Sequence, residues 1–311
     1  MPTDPLLILA AAGIDVAAGY PDSLHRRVPH PVVWAGAAIS RLERMWNRAA
    51  WPVATRRAFG VATVLIVGGA AGGLGWALTL APGPLGIVLV AATGSAGLAQ
   101  RSLYEHVAAV LRPLRAGDLP AARTAVGRIV GRDTQALDAA GVAAAALESL
   151  AESFNDGVAA PLFWFALAGL PGLFVYKVVN TADSLIGHRE PRWAAFGWAA
   201  ARTDDLMNLA PARLAGLAIA LAGGGGFRTM WRDAGKHDSP NAGWPEAAMA
   251  GALKIRLGGP AAYDGVIAHR PTFGDGASPA PEDLRRGLSV YLRACALLWI
   301  ALGLGAFAWP R

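Results

Sequence analysis

Glu148, Glu152 and Asp156 recur every fourth residue in ESLAESFNDG, so a helix would line them along one face. Three carboxyl groups on one stripe repel each other, and a cation between them relieves the repulsion. Gly157 is expected to end that helix, and no charged residue follows until after Tyr176. Carboxylates beside so apolar a segment are costly and mark function. That reading is taken for Glu152, Asn155 and Asp156, whereas Glu148 is expected at a water-exposed helix end.

Three further polar clusters follow. VVNTADSLIGHRE holds Asn180, Asp183 and Arg189, and RTDDLMNLAPARL holds Asp204, Asp205, Asn208 and Arg213. Asp205 and Asn208 stand one helical turn apart and can face one site. Mg²⁺ takes hard oxygen ligands, commonly one or two carboxylates with phosphate oxygens and water. Asp204, Asp205 and Asn208 are therefore the candidate metal ligands, unless the two acids simply cap a helix beginning near Leu206. The last cluster, KHDSPNAGWPEAAMAGALKIRLGG, brings Ser239, Asn241, Glu246 and Arg256. Pro245 and Glu246 suit the first turn of a helix, whose N-terminus either serves an anion or is merely capped. No P-loop, HExxH or GxSxG pattern occurs. Gly223 to Gly226 lack the Lys and Ser/Thr of a P-loop and read as a flexible helix end.

The elements that must hold these residues are helices in a membrane. Charged residues make up 16% of the 311, against roughly 25% in soluble domains. Ala58 to Gln100 runs 43 residues without a charge or a histidine, length for two spans of about 20 residues. Pro82-Gly83-Pro84 turns the chain between them. Arg56, Arg57 and Arg101 flank this hairpin, which predicts cytoplasmic ends and an outside turn. Gly68/Gly72 and Gly69/Gly73 have the spacing for close helix contact, or are simply glycines of a Gly-rich chain. Residues 30–51 read as an amphipathic helix with Trp34, Ala38, Leu42, Met45, Trp46 and Ala49 on one face, lying on the membrane or packed on protein. The opening segment lacks the basic start of a signal peptide and reads as a short, tilted or interfacial helix. Gly157 to Tyr176 is of membrane length but kinked by Pro161 and Pro171. A straight helix there would separate Asp156 from Asp183 by the bilayer thickness, so a broken or re-entrant path is expected. A last, shorter apolar helix is expected over Ala294 to Pro310, and no strand periodicity stands out.

The fold class is therefore all-α: a polytopic integral membrane protein with roughly four to six membrane helices plus amphipathic and cytoplasmic ones. The chain reads as one membrane-embedded domain, 1–311, with polar loops at 101–135 and 228–286. The net charge of +6 is assigned to cytoplasmic basic loops and not to nucleic acid, and the lone Cys295 excludes an intrachain disulfide.

ESFNDGVAAPLFW, YKVVNTADSLIGHR, DDLMNLAPARL and SPNAGWPEAAMAGALKIRLGG, in that order, resemble the CobD/CbiB family of cobalamin biosynthesis. DVAAGYPDSLHRRVPHPVVWAG matches the family's opening, so the resemblance covers nearly the whole chain. It implies a multi-pass enzyme of the cytoplasmic (inner) membrane. Such proteins join the free propionate carboxyl of adenosylcobyric acid to (R)-1-amino-2-propanol or its O-phosphate, giving adenosylcobinamide or its phosphate. The family reaction is ATP-dependent, which implies ATP as cosubstrate with Mg²⁺. Membrane lipid is an expected partner, and self-association or contact with other corrin-pathway enzymes is left open. No catalytic assignment comes with the resemblance. From the chemistry alone, Glu152, Asp156, Asp183 and Glu246 are candidates for catalysis. Asn155, Asn180, Arg189, Arg213, Ser239, Asn241 and Arg256 are candidates for substrate binding.

Two other function classes compete. A transporter also places acids at broken membrane helices, but no inverted repeat is detectable here. A non-catalytic scaffold for soluble corrin enzymes would be indifferent to loss of the acids.

Overall fold

The computed structural model describes residues 3–308, among which there are fourteen α-helices and four very short strands. In chain order the first seven helices are α1 (Pro5–Ala18), α2 (Asp22–His25), α3 (Pro31–Trp46), α4 (Val53–Thr79), α5 (Gly83–Ser95), α6 (Gln100–Arg115) and α7 (Leu119–Val126). The others are α8 (Ala139–Phe154), α9 (Ala160–Ile186), α10 (Trp198–Met207), α11 (Leu209–Ala222), α12 (Phe227–Asp233), α13 (Gly243–Leu253) and α14 (Pro281–Ala308). Four helical stretches are long and apolar enough to cross a membrane: Val53–Thr79, Gly83–Arg115, Ala139–Ile186 and Pro281–Phe307. Counting Trp198–Met207 with Leu209–Ala222 as one bent span makes five. The chain is thus a helical, multi-pass membrane protein.

Contacts divide the chain into two units. The first holds residues 3–99, 160–208 and 302–308. Its centre is the packing of α4 on α9, with α3 and α10 laid against the same pair. Ile39, Val67, Val178, Ile186 and Phe196 make its core. The close approach depends on Gly60 and Gly75 and, within the GxxxG set, on Gly72, where a Cβ would stand 3.0 Å from Val175 Cγ2. A Cβ on Gly60 would stand 1.9 Å from the Phe196 carbonyl oxygen, and one on Gly75 2.8 Å from the Leu170–Pro171 peptide. Gly68, Gly69 and Gly73 have open space around them. The hairpin of α4 and α5 turns at Pro82, as expected. Helix α9 breaks at Gly169 (φ 67°), two residues before Pro171, so the path is not straight.

On α3 the buried residues are Ile39 and Glu43, while Trp34 and Met45 of the expected apolar face are exposed. Glu43 is tolerable inside because Asn47 Nδ2 donates to it at 2.9 Å and Arg192 Nη2 reaches both its oxygens at 3.3 Å. The short helix α1 packs on α5 and buries Ile8, Ala11, Ala12 and Asp15.

The second unit holds residues 100–159 and 209–301. Helix α13 packs against α8, α11 and α12, and α6 against α7 and α8. Phe154 meets Tyr291 edge to face at 5.7 Å. The polar stretch 228–286 is not without strands. Leu257–Gly258 (β1) pairs antiparallel with Thr272–Phe273 (β4), and Ala261–Tyr263 (β2) with Val266–Ala268 (β3). Strands of two or three residues are too short to display a period of two. Gly226 is also more than a flexible end, since a Cβ there would meet Ala252 N at 2.7 Å on α13. The last helix starts at Pro281, well before the apolar run, with Glu282 and Asp283 in its first turn.

Candidate functional site

Helix α8 starts on Asp138, whose carboxylate accepts the Gly141 N–H at 2.7 Å. Its alanines bring the α8 backbone close to α13, and its acids emerge one turn apart. Glu148 is buried, only 2% exposed, and not at a wet helix end as its sequence context suggested. Arg132 Nη2 and Arg270 Nη1 donate to its Oε2, the latter at 2.8 Å, and the Gly258 N–H donates to its Oε1 at 2.9 Å. A buried carboxylate needs such partners, and here strand β1 and two arginines from distant loops supply them.

One turn on, Glu152 is exposed and lies within electrostatic reach of Asp156, Arg270, Glu148 and Arg132. The helix does not stop at Gly157. It widens into a π-turn over Asn155–Ala159, a form that recurs at functional sites. Within it the buried Asn155 donates through Nδ2 to Asp156 at 2.8 Å.

Glu246 faces the same acids from the first turn of α13 and is 1% exposed. Its Oε1 stands 3.6 Å from His237 Nε2 and its Oε2 3.8 Å from Arg270 Nη2. Burial, and then the charges of Glu152 and Glu148, push its carboxyl well above the usual carboxylate range. His237 stacks on Phe273 and accepts the Ser239 N–H on Nδ1 at 2.8 Å. Burial and the nearby Arg270 charge hold it below the ordinary histidine value.

Ser239 and Asn241 shape the entry to α13. The Ser239 hydroxyl accepts the N–H groups of Asn241 and Ala242 at 3.2 and 3.3 Å. Asn241 Oδ1 accepts from Arg213 Nη1 at 3.3 Å, and the same guanidinium lies 4.6 Å over the Trp244 ring. Arg256 stands apart from these, exposed and near Ser278 Oγ at 3.4 Å.

The remaining candidates belong to the first unit. Asp204 is buried, and Asn208 Nδ2 and Asn180 Nδ2 donate to its two oxygens at 3.0 and 3.4 Å. The Tyr176 hydroxyl donates to Asn208 Oδ1 at 3.1 Å and completes the chain. Asp205 turns the other way, to the exposed Arg202 at 3.3 Å. Asn208 therefore joins Asp204, four residues back. Asp183 is half-buried near the end of α9, and Arg189 is exposed in the loop beyond. Among the described residues no group of three or more His, Cys, Asp or Glu side chains is placed to hold a metal ion.

Arg132, Arg270, His237 and Tyr176 were not singled out from sequence. Arg132 and Arg270 have no pattern around them, and only the demand of a buried acid for a cation points to them. His237 lies inside the quoted KHDSPNAGW stretch and was legible there.

The family profile described as CobD/Cbib protein matches residues 8–291. The chain belongs to the CobD/CbiB family. A relative from Rhodobacter capsulatus, named cobalamin biosynthesis protein CobD, is 51% identical over 97% of this chain and 98% of its own. Proteins of the same name from a Sinorhizobium species and from Geobacter metallireducens are 47% and 41% identical, over 94% and 95% of this chain. No solved structure matches. Membership of the CobD/CbiB family gives the chain a biosynthetic role in the making of cobalamin.

Proposed function

We propose that this protein forms the amide between the free propionate carboxyl of adenosylcobyric acid and (R)-1-amino-2-propanol or its O-phosphate, at the cytoplasmic membrane. The observation that supports this most is the cluster of Glu148, Glu152, Asp156 and Glu246 around Arg132 and Arg270. An excess of acid over base suits a substrate that arrives as an ammonium ion and must lose a proton before it attacks.

A carboxylate does not condense with an amine in water unactivated. Phosphoryl transfer from ATP makes it an acyl phosphate and releases ADP. The amine nitrogen then attacks the acyl carbon, the C–N bond forms, and the C–O bond to phosphate breaks with its electron pair leaving on phosphate. Glu152 and Asp156, the accessible carboxylates of this cluster, would take the ammonium group and its proton. Arg213, fixed by the Leu209 carbonyl at 2.7 Å and by Asn241, would meet phosphate or the amide periphery of the corrin.

Mg²⁺ brought with ATP would neutralise phosphate oxygens, with Asp205 as its accessible protein ligand. One carboxylate together with phosphate oxygens and water is an ordinary set for this ion, so the donors present fit it. Asp204, Asn208 and Asn180 then act as the frame behind Asp205, and Asp183 and Arg189 remain candidates for catalysis and phosphate binding.

The test is direct. Purified protein in nanodiscs is incubated with adenosylcobyric acid, Mg-ATP and each amine, and products are read by mass spectrometry. Formation of adenosylcobinamide or its phosphate is expected. Protein that makes neither, yet carries a corrinoid across vesicle membranes, would be a transporter instead.

A further inference from the structure

Helix α3 lies across one end of the α4–α9 pair. Those two helices run antiparallel, since a Cβ on Gly72 would meet Val175 at 3.0 Å and one on Gly75 the Leu170–Pro171 peptide at 2.8 Å. Near its start α3 touches the end of α9, where a Cβ on Gly36 would stand 3.3 Å from Leu185 Cδ1. Near its own end it touches the start of α4, where Trp46 meets Phe59 at 5.1 Å. Both contacts fall where Val53–Thr79 and Ala139–Ile186, two stretches of membrane-spanning length, leave the hydrocarbon on the same side. A helix that bridges them there runs along the membrane surface and does not cross the bilayer. Its inner face is filled by protein, with Ile39 in one core with Val67 and Val178, and Glu43 held by Asn47 and Arg192. Its outer face is open. Val33, Trp34, Ala37, Arg41, Arg44 and Met45 form one exposed stripe, at the spacings that align side chains on a helix.

The stripe carries charge of one sign. Arg48 continues it just past the helix, and Glu43, the one acid of α3, is buried on the inner side. Arg41, Arg44 and Arg48 make no ion pair among the described residues. The Arg48 guanidinium lies 5.3 Å over Trp51, whose ring stacks on Phe59 at 5.1 Å, so α4 itself holds this arginine at the membrane edge. Arg57, 5.7 Å over Trp198, is a second such pair at the same end of α4. A guanidinium over an indole keeps its in-plane N–H groups for an anion. Apolar and aromatic side chains beside uncompensated arginines, at the edge of the hydrocarbon, match an amphiphile with an anionic head. We infer that the outer face of α3 binds acidic phospholipid, with the lipid phosphate on Arg41, Arg44 and Arg48 and the acyl chain along Val33, Trp34 and Met45. A zwitterionic lipid brings an ammonium group among the arginines and gains less. A soluble anion has no use for the apolar part of the stripe, and a second copy would set arginines against arginines. The inference is independent of the amide-forming reading.

The full chain, purified in a neutral detergent, is incubated with phosphatidylglycerol or phosphatidylcholine of the same acyl chains, and retained lipid is counted by native mass spectrometry. An arginine near an anionic surface contributes about fivefold to binding, so wild type at low salt is expected to prefer phosphatidylglycerol by about tenfold or more. The triple variant Arg41→Gln, Arg44→Gln, Arg48→Gln should lose most of that preference, and the same three changes to Lys should keep it. A spin label on Val33→Cys, in a Cys295→Ser background in nanodiscs, should be relaxed by oxygen more than by an aqueous nickel complex. Equal retention of the two lipids overturns the inference, as does a glutamine variant that keeps the preference or a label at position 33 relaxed mainly by nickel. Inorganic phosphate that displaces all the lipid would make this a site for a soluble anion, and dimers that come apart with loss of the arginines would make it a contact between two copies. Either result overturns the inference. Should the glutamine variant fail to fold, the wild-type preference and its loss at high salt decide, together with the label.

Discussion

Arg270 Nη1 donates to Glu148 Oε2 at 2.8 Å across 122 residues of chain. This pair ties the loop after β3 to the middle of α8, and with it the position of every other acid in the cluster. Removing one partner from a buried ion pair typically costs about 3–5 kcal/mol. Arg270→Met is therefore expected to lower the unfolding midpoint of the detergent-solubilised protein sharply, and Glu148→Gln likewise. A change no larger than that of an exposed pair such as Arg285–Glu282 would show that Glu148 is not the anchor of this unit.

The raised Glu246 carboxyl makes a pH prediction whose sign is fixed. A carboxyl whose folded value lies above its ordinary one binds more protons folded than unfolded. Its contribution to stability is complete below the ordinary value of 4.5 and is lost as pH rises towards the raised folded value. Wild type should therefore unfold at progressively lower temperature as pH is raised from 4.5. Glu246→Gln should flatten that slope. An unchanged slope in the variant would assign it to another group.

Asp204 and Asp205 are adjacent in sequence and opposite in setting, so they should respond differently. Asp205→Asn exchanges a partly exposed ion pair worth about 0–1 kcal/mol and should leave the protein at normal levels in the membrane. Its turnover should be lost, or recovered only at high Mg²⁺. Asp204→Ala removes the acceptor of one buried and one partly buried amide and should destabilise the first unit by about 1–3 kcal/mol. Near-normal turnover of Asp205→Asn at ordinary Mg²⁺ would exclude Asp205 as a metal ligand.

The hairpin of α4 and α5 predicts a topology. In a Cys295→Ser background, Arg57→Cys should be shielded from an impermeant thiol reagent in intact cells, and Leu80→Cys labelled. Leu80 is preferred to Gly83 because Gly83 has φ 59°, which a cysteine would adopt only under strain. Labelling of position 57 from outside would reverse the orientation drawn from Arg56, Arg57 and Arg101.

Much of this architecture was legible because hydropathy is a local property. The uncharged run from Ala58 to Gln100 announced α4, α5 and the turn at Pro82. The start of α14 was missed because its first turns carry Glu282, Asp283, Arg285 and Arg286, which mask a helix from any hydropathy window. The acids of the site were legible by their oddity among apolar residues. Their partners were not, because nothing near Arg270 in sequence refers to Glu148. The misassignment of Glu148 to water follows from the same gap, since an acid without its cation in view looks solvent-exposed. Likewise Asp205 and Asn208 had the right spacing, but the choice between Asp204 and Asp205 depended on where Asn180 and Tyr176 stand on another helix.

The long reach from Glu148 to Arg270 also sets an order of events at the ribosome. Arg132 leaves the exit tunnel before Glu148, 16 residues ahead of it. Arg270 follows 122 residues later, which at about 5–20 residues per second is a delay of roughly 6–24 s. For that interval Glu148 has Arg132 but not Arg270 to pair with. Chains halted before codon 270 would leave Glu148, a carboxylate buried in the finished fold, without one of its two arginines, so the second unit reaches its full stability only once residue 270 has been added.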